Sequence, residues 1–153
     1  MSIIKNRQLL SELDLSAEEV ELLALLEANA RVFAPVFSDE ALSRLQTTLH
    51  INNIQPRWAT ATKTNLQKWF MLLFQNGGIS GQASVGIELP ILYLVGLLDL
   101  FLKYGWEVTR YSTFPDSAQH AYYKSLARSI ALSEIDYYDH MLEMMLLDTA
   151  DLR

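Results

Sequence analysis

The 153-residue chain has no cysteine. That absence excludes thiol nucleophiles, disulfide staples, Cys-ligated zinc and iron–sulfur clusters. Glycine and proline are also scarce, at 6 and 4 residues, well under the average combined share of about 12%. No strict apolar/polar alternation of strand type runs for more than a few residues, so the reading is all-α. Positive charge is in deficit: 12 Lys and Arg against 18 Asp and Glu leave a net charge of −6. Nucleic-acid binding needs a cationic footprint that displaces counterions, so that class is set aside. Lys5 and Arg7 are followed by Glu12 and Asp14 rather than by an apolar signal core, which leads us to expect a cytoplasmic protein. The most apolar run, residues 85–102, is interrupted by Glu88, Pro90 and Asp99. Acidic residues at a bilayer centre are costly, so a helix buried inside a soluble domain is the better reading than a membrane span.

Half of the residues are apolar, and at this length one hydrophobic core suffices. We therefore expect a single domain over residues 1–153. Ser16-Ala17-Glu18-Glu19 has the form of a capping box and starts a helix whose apolar face runs from Val20 to Phe33, with Pro35 disturbing or ending it. Ser38-Asp39 offers a second N-cap, for a short helix carrying Leu42, Leu45 and Leu49. Pro56 fits the first turn of a third helix with Trp58, Leu66, Trp69, Phe70, Leu73 and Phe74 as its core residues, stopped by Asn76-Gly77-Gly78. A long apolar helix is expected from Leu89 to about Arg110, with Tyr93, Leu97, Phe101 and Tyr104 on one stripe. After a turn near Pro115, a final helix should run from about Ser117 to about Leu147. Several helices with two long ones at the C-terminal end have a globin-like outline.

The chemistry-bearing residues are sparse. His50, His120 and His140 share no helical face, and Glu134, Asp136 and Asp139 read as a solvated acidic surface rather than a metal site. The serines lack a nucleophile-elbow pattern, and Gly77-Gly78-Ile79-Ser80-Gly81 lacks the lysine of a phosphate loop. No enzymatic activity and no metal are expected.

The run from Leu66 to Phe74, the segment Val85-Gly86-Ile87-Glu88-Leu89-Pro90 entering an apolar helix, and the stretch Ser125 to Tyr138 resemble the sensor globins of bacterial globin-coupled sensors and protoglobins. The resemblance implies a sensory or regulatory domain of a bacterial signalling protein. The family's haem-ligating histidine stands five residues before the Leu-Pro, where this chain has Ser84, and its distal tyrosine falls on Ser38. A serine hydroxyl is a poor iron ligand, and the stretch before Ser84 is shorter than the family's. A non-haem globin without cofactor is therefore expected, with haem held by a non-standard ligand, or a plain helical interaction adaptor, as the alternatives. Without haem the site either fills with side chains or keeps a cavity for a fatty-acid-like or other apolar ligand. Its lining would come from Phe37, Ser38, Trp69, Phe70, Leu73, Ser84, Tyr93 and Leu97. The similar sensors dimerise through their last two helices, which here implies a homodimer using Ile130, Ile135, Tyr138, Met141, Leu142 and Met145. It also implies an output domain beyond Arg153.

Overall fold

The computed structural model describes residues 11–49, 56–75 and 91–151, and within the last of these the side chains of 92–134 and 141–147. Every regular element among them is helical, so the chain is all-α. After a 3₁₀ turn at Ser11–Leu13 come α1 (Ala17–Ala24), α2 (Glu27–Thr48), α3 (Pro56–Leu72), α4 (Ile91–Gly96), α5 (Leu98–Thr109) and α6 (Pro115–Asp151).

Local chemistry sets several helix starts. The Glu19 amide donates to Ser16 Oγ at 3.2 Å and the Ser16 amide donates to Glu19 Oε1 at 3.0 Å, which completes the expected box. Pro56 and Pro115 each occupy the first helical position, where a missing N–H leaves nothing unpaired. The last helix thus begins two residues before Ser117 and continues past Leu147. Its 37 residues span roughly 55 Å at 1.5 Å per residue.

Two expected boundaries move. The first helix does not reach Phe33: it stops at Ala24, and the chain turns through Leu25 and Leu26 before α2 begins. The Leu26 amide takes the tighter bond to the Leu23 carbonyl, and the turn buries both Leu23 and Leu26. Pro35 ends nothing; it lies inside α2. An internal proline removes a helical donor and crowds the preceding turn, at about 3 kcal/mol in an isolated helix. Here Ala30, Ala34, Phe37, Ser38 and Ala41 bury the inner face of α2, and that packing holds the helix together through the proline. Ser38 consequently caps no helix; its hydroxyl donates back to the Pro35 carbonyl at 2.9 Å.

The expected long apolar helix is divided at Leu97, whose φ of −106° and ψ of 8° break the regular geometry between α4 and α5. Leu97 itself is fully buried, as are Leu94 and Phe101. The Asn76-Gly77-Gly78 stop and the Leu89-Pro90 entry lie outside the described residues, while α3 itself gives way to tight turns over Leu73, Phe74 and Gln75.

α2 packs on α3 and α5, and α6 packs on α1, α4 and α5. At the crossing of α5 and α6, a Cβ built on Gly105 would lie 2.0 Å from the Tyr122 ring, so only glycine fits. Tyr122 is fully buried and donates its hydroxyl proton to the Phe101 carbonyl. Ser125, also buried, donates to the Leu73 carbonyl at 2.8 Å, satisfying an acceptor left over beyond the end of α3. Lys124 pairs with Glu19 at 2.8 Å and Arg128 with Asp14 at 3.0 Å, fastening the N-terminal residues to α6. No helix among the described residues is long and apolar enough to cross a membrane.

Candidate functional site

The residues expected to line a pocket converge, and they converge on one another. Phe37 on α2 stacks with Phe70 on α3 at a centroid distance of 4.9 Å. It meets Phe101 on α5 at 4.7 Å and the edge of Tyr104 at 5.9 Å. Trp69 lies 5.5 Å from Phe101, and Phe74 stacks on Tyr122 at 5.2 Å. Leu73 and Leu97 are fully buried beside these rings and Tyr93 is partly buried against them. Ser38 is fully buried, with its hydroxyl engaged twice: it donates to Pro35 and accepts from Gln67 Nε2 at 2.9 Å. Ser84 lies outside the described residues. The ring that joins the two walls is Phe101, which the sequence marks through its fourth-residue spacing from Leu97 on the buried stripe. The space between α3 and the α4–α5 pair is occupied by these side chains.

A groove of about 480 Å³ lies on the other side of α3, lined by Thr64, Gln67, Lys68, Met71, Leu72 and Gln75. None of the expected pocket residues contributes to it. Gln67 bonds Ser38 from its edge, and Gln75 Nε2 donates to Glu27 Oε1 at 2.8 Å.

Between α2 and α5 runs a charged network. Tyr104 and Lys103 both donate to Glu40, and Arg44 pairs with Asp99. The Tyr104 hydrogen bond, helped by Lys103 and Arg44 against a smaller cost of burial, lowers the Glu40 carboxyl below its ordinary 4.5. The Arg44 guanidinium does the same for Asp99. Burial, reinforced by Glu40, pushes Tyr104 up to about 12, and burial alone raises Tyr122 well above 10.0. A carboxyl lowered by folding stabilises the fold above its unfolded value, and that share is lost as pH falls through the folded value. A tyrosine raised by folding keeps the folded state favoured below 10, and its share is lost as pH climbs from 10 to its folded value. Thermal unfolding followed against pH should therefore fall off below about 4.5 and again above about 10. Tyr104→Phe should shrink both limbs, because it removes the raised phenol and the donor that lowers Glu40; unchanged limbs would show that the pair is uncoupled from folding.

No three His, Asp or Glu among the described residues are grouped to hold a metal ion. His120 is exposed, His50 lies outside the described residues, and nothing is described of the His140 side chain.

The residues expected at an interface separate into kinds. Ile130 is partly buried and packs against the core, Ile135 and Tyr138 have side chains outside the described set, and Met141, Leu142 and Met145 are exposed. All seven residues from Met141 to Leu147 are exposed, which covers about two turns of α6. On α5, Trp106 is 48% exposed and Leu98 39%, and on α6 Tyr123 is 56% exposed. Trp106 and Tyr123 each follow by one residue a member of the tight Gly105–Tyr122 contact, and both are exposed. Tyr123, Ala127, Ile130, Glu134, Tyr137, Met141 and Met144 recur in the sequence at alternating spacings of four and three, the register of a helix-pairing seam, interrupted by the charged Glu134 and by Ile130, which packs on the core. No family model, curated protein or solved structure matches the chain.

Proposed function

We propose that this chain is a non-haem, globin-like sensory or regulatory domain of a bacterial signalling protein that works through a homodimer. The observation that carries the reading is the apolar surface at the far end of α6, where Met141, Leu142, Met144, Met145, Leu146 and Leu147 are all exposed. Exposed contiguous apolar surface of this kind marks an interaction site, and a two-fold axis lets one seam meet its own copy. Met141 and Met144 lie on one line of α6, Met145 lies beside it and Leu142 flanks it about a quarter-turn away. The filled space around Phe37, Phe70 and Phe101 favours a core stabilised by side chains over a haem or fatty-acid pocket in the same place.

The test is the assembly state. Sedimentation equilibrium at micromolar concentration should return twice the 17.4 kDa chain mass. Met141→Asp removes apolar burial of about 1.5–3 kcal/mol from each copy and adds a charge, so Kd should rise about 100-fold or more. Wild-type chain that stays monomeric in high salt would remove the basis for signalling through dimer geometry. Added haemin giving a sharp Soret band, with one haem bound per chain, would instead establish the haem alternative.

A further inference from the structure

We propose that Met141, Met144 and Met145 are a sulfoxidation site whose oxidant is a hydroperoxide, and that oxygen transfer to them loosens the pairing of α6. This rests on the dimer reading above. The chain has five methionines, and three of them fall within five residues of one helix. Their spacing of three and four places their side chains on one face. All three are exposed, at 44%, 51% and 61%, whereas Met71 is partly buried at the edge of the α3 groove. Since there is no cysteine to react first, these thioethers are the most exposed sulfur among the described residues.

The chemistry balances without a cofactor. A thioether lone pair attacks the terminal oxygen of the hydroperoxide, the O–O bond breaks, and one oxygen moves to sulfur. The leaving alkoxide or hydroxide takes the peroxide proton and departs as alcohol or water. Sulfur is oxidised by two electrons and the peroxide is reduced by two. The product is polar and chiral on a surface that was apolar, and reductases specific for each sulfoxide epimer reverse it. Met141 and Met144 occupy two consecutive positions of the seam, so in a two-fold dimer a single oxidised chain places sulfoxide against the apolar surface of its partner.

Full-length protein treated with graded hydrogen peroxide is read two ways, by peptide mass mapping and by sedimentation. Oxygen should appear on Met141, Met144 and Met145 before Met71, and more slowly at high chain concentration because pairing covers the seam. Kd should then rise by roughly tenfold or more. In M141L/M144L/M145L, the values of Kd before and after treatment should agree with each other. Untreated wild-type protein that is already monomeric overturns the dimer and with it the switch. A dimer whose Kd is unmoved after the three residues are fully converted overturns the switch alone, and oxygen uptake at Met71 first overturns the site.

Discussion

Phe37→Ala should cost about 3–5 kcal/mol, the range for truncating a fully buried phenylalanine in a well-packed core. Phe37 is completely buried and is the one ring in contact with α3 through Phe70 and with α5 through both Phe101 and Tyr104. Its loss removes apolar burial and leaves a void that α2 cannot collapse into, because Ala34, Ser38 and Ala41 already hold that helix close against its neighbours. Against a typical total of about 5–15 kcal/mol, this is a large fraction. Urea unfolding should show a midpoint lowered in proportion, with an unchanged slope if the variant still folds as a unit. A cost under about 1 kcal/mol would mean that the rings do not fill the site, and would reopen the case for a natural cavity and an apolar ligand. The result therefore bears on function as much as on stability.

Gly105→Ala should destabilise the protein by about 2–3 kcal/mol, at the upper end of overpacking costs. In an open helix the same change would gain up to about 1 kcal/mol, since alanine is the better helix former. The sign reverses here because the added Cβ would sit 2.0 Å from one ring carbon of Tyr122 and 2.1 Å from another. That ring cannot swing aside: Phe74 stacks on it, and its hydroxyl is bonded to the Phe101 carbonyl. Relief requires α5 and α6 to separate. Thermal unfolding of Gly105→Ala, of Tyr122→Ala and of the double variant makes the argument specific. The glycine change should cost much less once the ring is gone. Equal costs in both backgrounds would place the effect somewhere other than this contact.

Much of the helical content was legible residue by residue. The Ser16–Glu19 box, Pro56 and the buried stripe through Leu97, Phe101 and Tyr104 each carry their own local signal, and the structure agrees with them. The cluster of Phe37, Trp69, Phe70 and Leu73 was legible as a set of residues that meet. That they meet ring to ring was not, because composition gives the size of each side chain and not the distance between the helices that carry them.

Events that depend on nearest neighbours in the chain were therefore determined by the sequence itself: all-α character, helix starts at a capping box or a first-turn proline, and an apolar surplus along α6. Tertiary structure decided where helices break and which apolar residues remain uncovered. Pro35 should end a helix by its own chemistry, yet burial of α2 on α3 and α5 outweighs a defect of about 3 kcal/mol, while the turns at Leu26 and Leu97 occur at good helix formers because burying those two leucines is worth more than a regular ladder. The same holds for Trp106 and Tyr123. Nothing local distinguishes them from core aromatics; they face solvent because Gly105 and Tyr122 take the inward positions where α5 meets α6, and the next residue on each helix is rotated about 100° away.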